Sequence, residues 1–142
     1  MHNTDIYLNF DGNSEAAFKF YQSVFGGNFL ALQRYGDMPG SDKMRTEDLD
    51  KIMHISLRLT SSTTLMASDV LAKDNMVIKQ GNNFHICLQA ENETEADRLF
   101  EALAEDGKIE MPMNKTFWGA YFGMCCDKYG VQWMINYSQP QQ

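Results

Sequence analysis

One pattern occurs twice in this chain. Ser14-Glu15-Ala16 is followed by Phe20 and closed by Gly27, and 80 residues later Thr94-Glu95-Ala96 is followed by Phe100 and closed by Gly107. Each copy comes after a short alternating run at the same offset, 5–10 and 85–90. Such a repeat constrains the architecture strongly. A supersecondary unit too small to bury its own apolar face buries it with the help of a second copy. The repeat also places residues of the two copies in equivalent positions, which says where to look for a site but not what it takes.

Within the first copy, Ile6, Leu8 and Phe10 alternate with Asp5, Tyr7 and Asn9, the mark of a half-buried strand. Asn13 or Ser14 can cap a helix that has Glu15 in its first turn. Ala17, Phe18, Tyr21, Val24 and Phe25 recur at helical spacing, and Gly26-Gly27 ends the helix by supplying positive φ. Strands are predicted over 28–35, 52–60 and 63–70. The middle one sets Met53, Ile55, Leu57 and Leu59 on one face and His54, Ser56 and Arg58 on the other. Residues 36–50, rich in Gly, Pro, Ser and charge, read as a mobile loop, and 71–82 as a second loop joining the halves.

The second copy repeats the order. It has a strand over 85–90, a helix over 94–105 capped by Asn92 or Thr94, and a strand over 108–113 that ends near Pro112. A hairpin of 117–126 and 131–137 turns at Asp127-Lys128-Tyr129-Gly130. The tail from Ser138 to Gln142 is expected to fray. The fold class is therefore α+β: one domain over 1–142, made of two βαβββ modules at about 1–70 and 83–138. Neither module has a comfortable core alone. The two sheets are expected to join edge to edge, with helices outside and the inner faces curved around a cavity.

Composition narrows the function. The net charge of −7 and the lack of a basic stripe argue against nucleic acid. No apolar run approaches the length of a membrane span, and the start MHNTDIYLNF lacks the basic-then-apolar order of a signal peptide. Three Cys with no CxxC (Cys87, Cys125, Cys126) suit reduced thiols, so a cytoplasmic location is expected. Ten Met and 12% aromatic residues suggest large, adaptable side chains around a core or cavity.

Several segments match a known family. They are Tyr7-Leu8-Asn9-Phe10, the run AFKFYQSVFGG from Ala17 to Gly27, Leu65-Met66-Ala67-Ser68-Asp69 and Gly107-Lys108-Ile109-Glu110-Met111. Later come Thr116-Phe117-Trp118-Gly119 and the stretch from Asp127 to Asn136. With these the chain resembles the vicinal-oxygen-chelate superfamily of glyoxalases, bleomycin-resistance proteins and extradiol dioxygenases, and within it the PhnB-like branch. The resemblance spans nearly the whole chain. It implies the paired βαβββ fold and a homodimer, and no settled activity.

It also implies where a metal would sit: on the first and last strands of each half. The internal repeat maps those positions to Asp5, Met66, His85 and Met134, with Ile6 an alternative to Asp5. Zn²⁺, Ni²⁺, Mg²⁺ and Fe²⁺ want imidazole, carboxylate or thiolate, and two of these four are neutral thioethers. Met66 and Met134 would suit Cu⁺, although methionine is more often a gap filler. No metal or other cofactor is therefore expected.

His85 is either a hydrogen-bonded cavity residue or a ligand contact and general acid–base. Cys87 and Gln89 share its face without forming a triad. Trp118, Tyr121, Phe122 and Trp133 are core or a stacking wall for a planar ligand; if Met134 faces the cavity, Trp133 does not. Arg34 is a solubilising charge or an anchor for a carboxylate or phosphonate. His54 and Arg58 face solvent or the cavity. The expected function is small-molecule binding in a cavity lined by His85, Met66, Met134, Asp5, Arg34, Trp118 and Tyr121. The alternative is a lyase, isomerase or dioxygenase acting in the same cavity. A methyl transferase is weaker still, since nothing resembles the Gly-rich nucleotide turn it would need.

Overall fold

The computed structural model describes residues 1–139. The end of the predicted frayed tail, 140–142, lies outside the described residues; Ser138 ends a strand. The chain forms two compact units, Met1–Ile78 and a second beginning at Lys79.

In the first unit, β1 (Ile6–Phe10) leads to α1 (Ser14–Phe25), then β2 (Phe29–Arg34), β3 (Ile52–Arg58) and β4 (Thr64–Asp69), in sheet order β1-β4-β3-β2. In the second, β5 (Ile86–Gln89), α2 (Glu93–Ala104), β6 (Lys108–Lys115), β7 (Ala120–Cys126) and β8 (Gln132–Ser138) give the order β5-β8-β7-β6. β1 runs parallel to β4, as β5 does to β8, and the other pairs are antiparallel. Each unit is thus βαβββ with the same topology.

One face of each sheet packs on its helix. α1 buries Ala17, Phe18, Tyr21 and Val24 of the predicted stripe over Leu8, Ile55, Leu57, Leu65 and Ala67, while Phe25, its fifth member, is only half-buried. α2 buries Ala96, Leu99, Phe100 and Leu103, and Trp133, Ile135 and Cys125 form the sheet side of that core. The helices start at Ser14 and Glu93, 79 residues apart, so the sequence spacing of 80 is one too long for them. Tyr21, not Phe20, therefore fills the core position equivalent to Phe100, and Phe20 stays half-buried.

Three expectations are corrected. Neither Asn13 nor Ser14 caps α1 through its side chain. Asp69 at the end of β4 does so instead, its Oδ1 accepting from Ser14 N at 3.0 Å and its Oδ2 from Ile52 N at 2.8 Å. Pro112 does not end a strand. β6 is an edge strand, where a missing N–H is tolerated, and its register shifts between Met111 and Asn114. At that shift β6 presses on β7 closely enough that a Cβ on Gly123 would lie 2.6 Å from Met113 Sδ. Phe117 and Trp118 are not strand residues but lie in the tight turn before β7. The predicted loop 36–50 is built around three short 3₁₀ turns, Tyr35–Asp37, Ser41–Lys43 and Thr46–Asp48.

The β7–β8 turn is built as its residues predict. Gly130 takes φ +89°, and the buried Asp127 accepts from Tyr129 N, Val131 N and Trp133 Nε1. Among the described residues, no helix is long and apolar enough to cross a membrane.

Candidate functional site

Strand alternation decides which side chains leave the core. In the first unit Ile6 pairs with the buried Leu65 and shares its face, whereas Tyr7 pairs with Met66 and Asn9 with Ser68 on the opposite, open face. Asp5 precedes β1, lies exposed and accepts from Asn3 Nδ2 at 3.1 Å. Met66 is half-buried between Tyr7 and Ser56.

The open face of the first sheet is polar, and the exposed Arg58 stands on it opposite Thr64. Tyr7 Oη donates to Ser68 Oγ at 3.1 Å and lies 3.3 Å from His54 Nδ1, with the two rings tilted by 31° at 5.8 Å. Tyr7 keeps 49% of its surface exposed. Phenol, imidazole and hydroxyl each retain unused hydrogen-bonding capacity, so the cluster can recognise a hydroxyl or carbonyl.

Arg34 points elsewhere. Its guanidinium donates to both Glu15 oxygens, at 3.0 and 2.7 Å, and to the Asp50 carbonyl at 2.9 Å. The hydrogen bond from Arg34 is the main cause holding the Glu15 carboxyl below its usual range, against the opposing effect of burial. The cation considered as an anchor for an anionic ligand is thus paired with α1.

In the second unit the open face holds Cys87 and Gln89 on β5, Gln132, Met134 and Asn136 on β8, and Phe122, Met124 and Cys126 on β7. His85 lies just before β5, its side chain 10% exposed, with Nε2 3.3 Å from Glu110 Oε1. With the Gln132 amide nitrogen turned toward them, it donates to Glu110 Oε2 at 3.0 Å and to His85 Nε2 at 3.1 Å. His85 Nε2 either donates to Glu110 or accepts from Gln132, according to which ring nitrogen holds the proton. Farther along the face, Asn136 Nδ2 donates to Gln89 Oε1 at 2.8 Å and Gln89 Nε2 reaches Cys87 Sγ at 3.5 Å. Burial pushes the Cys87 thiol up, so it is no ready nucleophile.

Tyr121 and Trp118 are not on that face. Tyr121 pairs with Tyr137 on the α2 side, and its Oη donates to Asp97 Oδ1 at 2.6 Å; that bond is the main cause pushing the phenol up to about 12. It lines a pocket of about 180 Å³ with Tyr137, Lys115, Thr116 and Glu93. Trp118 is 64% exposed at the turn, edge-on to Phe117. Trp133 is fully buried, as the parity argument required.

Neutral sulfur is a poor ligand for a hard divalent ion. Met66 and Met134 offer neutral sulfur, and His85 has a single carboxylate beside it. Among the described residues, neither unit gathers three His, Cys, Asp or Glu side chains in a group able to hold a metal.

Tyr7, Ser68 and Glu110 were not singled out from the sequence. Tyr7 and Ser68 lie two residues from Asp5 and Met66 and share their faces by parity, which could have found them. Glu110 sits at a register shift between Ile109 and Met111, where parity fails.

A family model described as Glyoxalase/Bleomycin resistance protein/Dioxygenase superfamily matches residues 5–135. Protein YjdN of Escherichia coli strain K12 is 33% identical over 139 residues, 95% of each chain. Among solved structures, protein PA1353 of Pseudomonas aeruginosa is 39% identical, with a TM-score of 0.84 over 97% of this chain and 98% of that one. The PhnB protein of Bacillus cereus is 27% identical, with a TM-score of 0.76 over 95% of this chain and 98% of that one.

Proposed function

Since the chain belongs to the glyoxalase/bleomycin resistance protein/dioxygenase superfamily, we propose that it binds a small organic molecule on its open sheet faces and does so without a hard divalent metal. One observation carries this reading. Where a metal-binding member needs carboxylate or imidazole on the last strand of each half, this chain has Met66 and Met134. Around them stand hydrogen-bonding side chains: Tyr7, His54 and Ser68 on one face, Gln89, Asn136 and Gln132 on the other. Such a surface suits an uncharged or weakly polar ligand with hydroxyl, carbonyl or amide groups.

His85 is the anchor to test. His85→Ala should weaken binding of whatever organic molecule co-purifies, read by native mass spectrometry, while melting within a few degrees of the parent. A large loss of stability with unchanged ligand occupancy would remove His85 from the site, because that is what deleting a structural partner of Glu110 would do.

A second reading, a lyase or isomerase, is favoured by one contact. An imidazole held against a carboxylate, as His85 is against Glu110, is a general-base arrangement. Glu110→Gln separates the readings. It should leave occupancy nearly unchanged for a binding protein, and abolish turnover of any substrate found for an enzyme. The protein is also proposed to be a homodimer, because β2 and β6 end their sheets as unpaired edges. Light scattering that returned the 16.3 kDa monomer mass at micromolar concentration would contradict this.

A further inference from the structure

Four sulfur-bearing side chains stand in one row across the second sheet. Met111 of β6 pairs with Met124 of β7, Met124 pairs with Met134 of β8, and Met134 pairs with Cys87 of β5. Directly paired residues have Cβ atoms about 4.5–5.5 Å apart. A methionine side chain has three rotatable bonds, enough to swing its sulfur across that gap.

The row does not belong to the core. Its sequence neighbours Cys125, Trp133 and Ile135 are the fully buried ones, on the face against α2. Met111 is 41% exposed, Cys87 is exposed, and Met124 and Met134 are half-buried. A gap-filling methionine has its sulfur enclosed, and these four reach solvent instead. The row itself offers no oxygen or imidazole ligand. The carboxylate of Glu110, next to Met111 in the sequence, is engaged with His85 and Gln132.

Neutral, polarisable sulfur in this number matches one class of ion. Soft thioether and thiol ligands select Cu(I) over divalent first-row ions, which prefer imidazole and oxygen. We propose that the sulfur row is a binding site for a soft monovalent cation of the Cu(I) and Ag(I) class. Met124 and Met134 supply the central pair of donors, and Met111 or Cys87 completes a three-sulfur set. Coordination through the thioethers releases no proton; coordination through Cys87 releases one, from its thiol. The row shares the open face of the second sheet with the ligand proposed above, and its test needs no organic ligand.

The test uses the whole chain with Cu(I) held anaerobically by excess bicinchoninate, whose colour reports the ion it keeps. The parent chain should withdraw one Cu(I) per chain. A Met124→Leu, Met134→Leu double variant keeps side-chain volume, so it should melt within a few degrees of the parent. Its affinity should fall roughly tenfold or more. Failure of the parent to take the ion, or equal affinity in the double variant, would overturn the proposal. A second measurement needs no variant. On adding Ag(I) to the parent chain, the methyl NMR signals of Met124 and Met134 should shift, joined by that of Met111 where it rather than Cys87 is the third donor, while those of the remaining methionines stay in place. Shifts spread over all methionines, or none at all, would equally overturn it.

Discussion

The first turn of α1 is held by a carboxylate 55 residues away, on the last residue of β4. The first turn of α2 is held by its own neighbours: Asn92 Oδ1 accepts from Glu95 N at 2.8 Å, and Glu95 Oε1 accepts from Glu91 N at 3.0 Å. The two units have the same strand order, the same parallel pair and the same helix placement. They satisfy the exposed N–H groups of a helix start in opposite ways. In the first unit the cap exists only once β4 is in place, so helix and sheet depend on each other. In the second the cap is present in the local chain. The open faces diverge in the same manner, with phenol, imidazole and hydroxyl on one and sulfur beside a His–Glu pair on the other. A shared topology therefore repeats the apolar positions and leaves the polar ones free to differ.

The comparison can be broken most forcefully at Asp69. Asp69→Ala leaves the buried N–H groups of Ser14 and Ile52 without an acceptor, each worth about 1–3 kcal/mol. A denaturant midpoint should record a loss of about 2–6 kcal/mol in all. The matching change in the second unit, Asn92→Ala, removes one local cap and should cost about 1 kcal/mol. Should the two variants unfold equally easily, the claim that α1 depends on the sheet fails.

A smaller effect sharpens the same contrast. The Glu15–Arg34 pair ties α1 to the end of β2, and both side chains are about one-third exposed. Arg34→Gln should cost under about 1 kcal/mol at neutral pH. The Glu15 carboxyl is held below its ordinary 4.5 chiefly by the Arg34 hydrogen bond. A lowered carboxyl stabilises the fold above that ordinary value and ceases to as pH falls through the folded one. The gap between parent and variant should therefore close below about pH 4.5; a gap that widened in acid would contradict the pairing. Smallest of all, Asn13→Ala should change stability by less than about 0.5 kcal/mol, because the Asn13 side chain makes no cap bond.

The apolar half of this molecule was legible from the sequence. Ala17, Phe18, Tyr21 and Val24 stand at helical spacing because one stripe of α1 must meet the sheet. The alternation through Leu65 and Ala67, and through Trp133 and Ile135, followed from the same need. The polar half was not. Asp69 reads as an ordinary strand-end acid until the fold brings Ser14 to it. Glu110 hides behind a register shift that breaks alternation, and Pro112 looks like a stop unless the strand is known to be an edge. Arg34 looked available to a ligand because its partner Glu15 lies on another element. Met134 was singled out with Met66 but without Met111 and Met124, which join it only through strand pairing. Apolar burial leaves a period in the sequence, whereas a polar contact between distant residues leaves none.

The account turns on the two thioethers standing where a hard ion would need charged ligands, and elemental analysis of the purified, dialysed chain tests that most directly, with any copper counted apart for the sulfur row. The expected result is well under one zinc, nickel or iron per chain; a stoichiometric amount of any of the three that survives dialysis would contradict it.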